Sequence, residues 1–307
     1  MQHAKKPHQM TIEIGNQYSR DKITDTTGFL EKARLHQSKF RAFKLKVTSD
    51  RHGNYLTEQD ASAGLNFYND FDIFKEVRER YPKYSRGLYA NMLRSEHIAF
   101  NLFVPFKTDL NFAKNVLNDL LSGQVQSVDK IKIEYAPAPA DKYLNDKTSF
   151  DTYIEYTHND GKKGIIGIEV KYTEHEYPLK AGSKQEEDIK NKRSKYYIIS
   201  DKCGLYKSGN LDKLISDQFR QVWRNQLLGE SMVIEDEFNH FTSLTIFPKG
   251  NLHFIETSKE YIEMLDNNND RFVPVTYEDF LLTCKKYKPN NRFGEWLNYL
   301  DERYIIK

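Results

Sequence analysis

The stretch G-I-I-G-I-E-V-K-Y-T-E, Gly164 to Glu174, decides how this chain is read. Most of it has the apolar character of a buried strand, yet Glu169 and Lys171 interrupt it. They stand two apart and so point to the same face of a strand. Burying such groups is costly unless they are paired or bind a metal.

Upstream lies the loop H-N-D-G-K-K-G, His158 to Gly164, whose Asn, Asp and Gly residues favour a turn, and before it a second strand pattern from Ser149 to Tyr156. A hairpin symmetric about Gly161 pairs residues whose numbers sum to 322. Asp151 then stands opposite Lys171, and Tyr153 opposite Glu169. Asp151 and Glu169 become diagonal neighbours, roughly 7–8 Å apart and within reach of one bridging cation. Phe150, Thr152, Ile154 and Tyr156 point to the apolar side with Ile166, Ile168, Val170 and Tyr172. Asp151, Glu155, Glu169 and Lys171 share the other face.

A half-solvated hairpin with an Asp151–Lys171 salt bridge would give the same pattern. A second acidic-x-Lys copy, Asp188-Ile-Lys190, falls in a charge-rich segment that reads as a solvated helix. Only the first copy has an apolar strand and an upstream acid at hairpin distance. Two such carboxylates suit a hard divalent cation such as Mg²⁺, and a lysine beside it can orient a water or stabilise charge on phosphate. Those are the parts needed to hydrolyse a phosphodiester.

Around the hairpin the elements alternate. Leu93 to Phe103 reads as an apolar helix with Ser95 as a cap. A second helix follows with Thr108 as N-cap and Gly123 as its stop. Strands are expected over Lys130–Ala136, Ser149–Tyr156 and Ile165–Tyr172. An amphipathic helix over Leu211–Leu228 and a strand over Thr242–Phe247 come next. This order gives an α/β core with a mixed sheet. Helical patterns fill Phe29 to Tyr89, and two more lie around Phe280 and Trp296. Residues 1–28 read as a polar arm and 29–307 as a single domain with its core at about 93–247.

The bulk properties narrow the classes. The chain has 307 residues, 29% of them charged, a net charge of +2, and no apolar run long enough to span a bilayer. Mean hydropathy is −0.75. The segment M-Q-H-A-K-K-P-H lacks the apolar stretch of a secretory signal, and Cys203 and Cys284 are too few for a disulfide framework, so a reducing, cytoplasmic setting is expected. Nine histidines occur with no H-E-x-x-H and no close pair suited to zinc. Neither G-x-S-x-G nor a P-loop is present.

S-F-D, seventeen residues, then E-V-K, spanning Ser149 to Lys171, resembles the PD-(D/E)XK nuclease motif. The segments Y-A-N-M-L-R-S-E, K-I-E-Y-A-P, S-F-D, I-E-V-K-Y-T-E and Q-V-W-R-N-Q-L-L are similar to a bacterial restriction-endonuclease-like branch of that superfamily, over roughly Gln37 to Leu228. The resemblance implies a restriction-endonuclease-like core of helix, three strands, helix and strand, with added N- and C-terminal helices. It also implies Mg²⁺-dependent cleavage of nucleic acid, most naturally double-stranded DNA, with Mn²⁺ as a substitute metal and a role in restriction or phage defence. Asp151 and Glu169 match the metal-binding acids, the Val170 carbonyl the backbone ligand between them, and Lys171 the catalytic lysine. Phe150 stands where the motif has proline.

Glu96, Glu134, Glu174 and Gln226 are auxiliary candidates. Glu96 and Glu134 could supply further acids, Gln226 could face the site from the following helix, and Glu174 could support it from outside. Lys162 and Lys163 in the hairpin loop are candidates for phosphate contact, as are Lys190, Lys192, Arg193, Lys195 and Arg224. Such contacts need only local positive charge. A homodimer is one way to cut both strands. The alternative is a catalytically inactive protein of the same fold that binds nucleic acid or a partner protein.

Overall fold

Five strands form one sheet in the order β1-β2-β3-β4-β5. They are β1 (Val125–Tyr135), β2 (Phe150–His158), β3 (Lys163–Val170), β4 (His240–Phe247) and β5 (Phe272–Thr276). The computed structural model describes residues 28–50, 52–266 and 271–306, so the expected arm lies, but for Gly28, outside the described residues. β1, β2 and β3 pair antiparallel, whereas β3, β4 and β5 run parallel.

Ahead of the sheet come α1 (Phe29–Lys39), a π-helical turn (Phe40–Leu45), α2 (Glu58–Ser62), α3 (Ile73–Arg80), α4 (Arg86–Ala90), α5 (Ser95–Thr108) and α6 (Leu110–Leu120). Between β3 and β4 the chain makes α7 (Lys184–Lys190), α8 (Lys195–Lys202), α9 (Leu211–Leu214) and α10 (Arg220–Ile234). Then α11 (Leu252–Glu263) precedes β5, and α12 (Tyr277–Tyr287) and α13 (Asn291–Tyr304) follow it. The expected α/β architecture with a mixed sheet is what forms. No helix among the described residues is long and apolar enough to cross a membrane.

Helices cover both faces of the sheet. On one side Ile154, Ile166, Ile168, Val170 and Leu244 join Phe103, Phe106, Phe112, Phe280 and Trp296. On the other, Tyr153, Ile165 and Phe241 pack with Tyr196, Trp223, Leu227 and Phe254. Each such fully buried side chain contributes roughly 1.5–3 kcal/mol. β3 is therefore apolar on both faces because neither meets water. The face that carries Glu169 is not half-solvated.

The hairpin register differs from the symmetric one. Thr152 pairs with Ile168, Tyr153 with Gly167 and Ile154 with Ile166, so partners sum to 320 rather than 322. Gly161 (φ 82°) is not the midpoint of the turn. It takes the left-handed position that ends a three-residue loop, with its amide donating to His158 O and Lys162 O accepting from the His158 amide. A slip of two preserves the faces. Extended by one residue, the register sets Asp151 level with Glu169, not with Lys171.

Phe150 also departs from its expected side. Its ring lies over Gly167, stacks on Tyr153 and meets Phe241, within the second core. A large ring fits there because residue 167 has no side chain.

Element ends shift for local reasons. The helix expected over Leu93–Phe103 starts at Ser95 and runs to Thr108. Asp109, not Thr108, caps α6 by accepting the Phe112 amide at 2.8 Å. The single helix expected over Leu211–Leu228 is broken between α9 and α10, where Arg220 donates to Ile215 O and to the Asp217 carboxylate. β5 and α11 have no counterpart in the sequence reading. Pro274 inside β5 looks like a strand breaker, but β5 is an edge strand and tolerates it. The helices around Phe280 and Trp296 form as α12 and α13.

Candidate active site

Three adjacent strands place a carboxylate at the same end of the sheet: Glu134 near the end of β1, Asp151 near the start of β2 and Glu169 near the end of β3. Asp151 Oδ2 accepts the Val170 amide at 2.7 Å, which puts that peptide against the carboxylate. The Lys171 ammonium lies 2.6 Å from Glu169 Oε1, and both side chains are almost wholly buried. Lys171 stands just past β3, where its amide donates to Ile246 O (2.8 Å) and prolongs the alignment with β4.

α10 supplies the rest of the Glu169 environment. Gln221 Nε2 donates to Oε1 at 2.7 Å, and Asn225 Nδ2 donates to Oε2. Four residues apart, the two amides share one helix face. Gln226, the candidate from the sequence, points elsewhere: its amide donates to Glu230, which pairs with Arg271. Sequence reasoning missed Gln221 and Asn225. Their signal was polar side chains spaced by four on a helix otherwise rich in buried apolar residues.

The acids repel one another. Burial, then the charges of Glu169 and Glu134, raise the Asp151 carboxyl well above its ordinary range, against the pull of Lys171 and the Val170 amide. Glu134 is pushed up to about 7, chiefly by burial, with Glu169 and Glu96 adding to it, while the Tyr81 hydroxyl bonds to it and opposes the shift. Glu134 also takes φ 55°, a left-handed conformation that costs a side-chain-bearing residue roughly 1–2 kcal/mol. Burial alone would lower the Lys171 pKa, but Glu169 above all, with Tyr177, Asp151 and Glu174, raises it. Oxygen donors crowded with uncompensated negative charge fit a hard divalent cation.

The remaining candidates divide. Glu96 sits on the first turn of α5, paired with Arg94, and its charge reaches Glu134. Glu174 is taken up by backbone: its two oxygens accept the Ser95 and Tyr172 amides at 2.8 and 2.7 Å, bracing the end of β3 against the start of α5. Arg224 pairs with Asp146 at 2.7 Å and bonds Thr148, tying the loop that feeds β2 to the helix that holds Glu169.

Lys190 pairs with Glu186, Lys192 lies over the Tyr197 ring, Arg193 is exposed, and the Lys195 ammonium is 3.5 Å from Lys142 O. These belong to the α7–α8 segment beside α10. A cleft of about 170 Å³ opens at the start of α10, lined by Tyr177, Gln185, Arg220, Arg224 and Gln221, the last of which also bonds Glu169. Lys162 and Lys163 are at the opposite end of β3, roughly 20 Å from Glu169 at ~3.3 Å per residue.

One expectation about histidine fails. No close pair is legible along the chain, yet folding stacks His158 on His240 with ring centroids 4.0 Å apart and Asp160 between their nitrogens.

A mixed sheet sandwiched by helices, with carboxylates converging at the ends of three strands and a buried lysine next to one of them, defines a nuclease-type α/β protein. The model of the PD-(D/E)XK nuclease superfamily matches residues 23–306, and the chain belongs to that superfamily. No curated protein and no solved structure matches the chain at a significant level. Membership makes this a metal-dependent nuclease with a nucleic acid substrate.

Proposed function

We propose that the protein is an Mg²⁺-dependent endonuclease that cuts double-stranded DNA, with Asp151, Glu169 and the Val170 carbonyl holding the ion. The observation that carries this reading is the buried Lys171–Glu169 pair beside Asp151, whose carboxylate grips the Val170 peptide. A bound divalent ion supplies Lewis acidity toward phosphate and an acidified water. Lys171 orients the attacking water and offsets charge growing on the phosphate. Gln221 and Asn225 keep the Glu169 carboxylate aimed, and Glu134 is the further acid of the cluster.

The exposed cations Lys190, Lys192 and Arg193 of the α7–α8 segment, with the half-buried Lys195, take DNA phosphates. Lys162 and Lys163 serve only a duplex long enough to reach the far end of β3. Arg224 acts on the site through Asp146 rather than on DNA. Residues 29–307 work as one domain in the cytoplasm, in restriction or phage defence, with a homodimer delivering two cuts.

An inactive DNA-binding role is the second reading, and the intact Asp151, Glu169 and Lys171 speak against it. The test is incubation with supercoiled plasmid, linear duplex and single-stranded DNA in Mg²⁺ or EDTA. Mg²⁺-dependent conversion of plasmid to nicked and linear forms is expected. Binding to DNA without cleavage of any form would favour the inactive reading.

A further inference from the structure

We propose that His158, Asp160 and His240 form a second metal site, for a borderline divalent ion such as Zn²⁺, at the end of the sheet away from the carboxylate–lysine centre. His158 is the last residue of β2, Asp160 lies in the turn, and His240 opens β4 level with Gly164. Glu169 is five residues further along β3, roughly 17 Å away at ~3.3 Å per residue. The site is thus independent of the proposed nuclease chemistry.

The ligand atoms are already gathered. His158 Nδ1 is 3.0 Å from Asp160 Oδ1, His240 Nε2 is 2.9 Å from Oδ2, and one donor atom from each residue lies within 4.8 Å of the others. Four-coordinate Zn²⁺ with bonds of 2.0–2.1 Å keeps its ligand atoms roughly 3.3 Å apart. Closing the site therefore needs only small side-chain adjustments.

The turn also fixes Asp160 in place, because its carboxylate accepts the Lys162 amide at 2.9 Å. Imidazole donors favour Zn²⁺ and its first-row neighbours over Mg²⁺. Both histidines are only half-buried, which leaves room for water as the fourth ligand. The ion would staple the tip of the hairpin to β4, two segments separated in sequence by α7 to α10.

The test is titration of the metal-stripped full chain with Co²⁺, read by visible absorption, and with Zn²⁺, read by thermal denaturation. A four-coordinate Co²⁺ spectrum and a Zn²⁺-dependent rise in Tm are expected. Both should weaken at least ~10-fold in His158→Gln, His240→Gln and the turn variant Asp160→Asn, and survive in the Asp151→Asn, Glu169→Gln double variant. Mg²⁺-dependent cleavage by His240→Gln should match the wild type. Far-UV circular dichroism establishes that each variant folds. No four-coordinate spectrum, or a spectrum that the histidine variants keep and the Asp151→Asn, Glu169→Gln variant loses, would overturn the proposal.

Discussion

The Lys171 ammonium lies 2.6 Å from the Glu169 carboxylate, with only 3% and 9% of the two side chains exposed. A buried ion pair of this kind adds little net stability, because desolvation largely offsets the Coulombic gain. Its use here is positional. Glu169 is held by Lys171, Gln221 and Asn225 at once, so its oxygens stay fixed beside Asp151. Rigid support of this sort is what a metal centre needs.

That support is measurable. Gln221→Ala and Asn225→Ala should each weaken divalent metal binding ~10–100-fold with little change in fold. Gln226→Ala, which touches Glu230 instead, should leave metal affinity unchanged and lower stability. Isothermal titration with Mn²⁺ beside urea denaturation separates the two outcomes.

Glu134 makes metal-free stability depend on pH. The folded protein keeps this proton up to about 7, whereas the ordinary value is 4.5. Between those values the folded state binds more protons than the unfolded one. The contribution of Glu134 is therefore complete below the lower value and is lost as pH rises through the upper one. In EDTA, raising the pH from 5 to 8 should cost the wild type up to ~3 kcal/mol more than it costs Glu134→Gln. Denaturant midpoints across that range check it, and parallel curves would refute it.

Gly167 leaves the space that Phe150 fills. A Cβ there would overlap the Phe150 ring, so Gly167→Ala should cost ~1–3 kcal/mol. It should also lower cleavage, because Phe150 precedes Asp151 directly. Adding Phe150→Leu should restore part of the stability. Denaturation of the single and double variants tests the coupling.

Much of this was legible because the strand alternation and the motif agree. The alternation puts Asp151 and Glu169 on one face of the hairpin, with Asp151 level with Glu169 rather than with Lys171, and Glu134 stands at the same end of the sheet on β1. The register slipped by two because Gly161 ends its turn rather than centring it, a distinction that turn composition does not carry. Gln221 and Asn225 were hidden because Gln226 is equally polar, and only the rotation of α10 decides which amide meets Glu169. The His158–His240 stack depends on the parallel pairing of β3 and β4, a contact between distant segments that no local spacing reveals.

The central claim rests on Lys171. Supercoiled plasmid should be cut by the wild type in Mg²⁺ and left intact in EDTA. Lys171→Ala, with its fold verified by circular dichroism, should cut ~10²–10³-fold more slowly. Cleavage in EDTA, or cleavage by Lys171→Ala at the wild-type rate, would contradict the account.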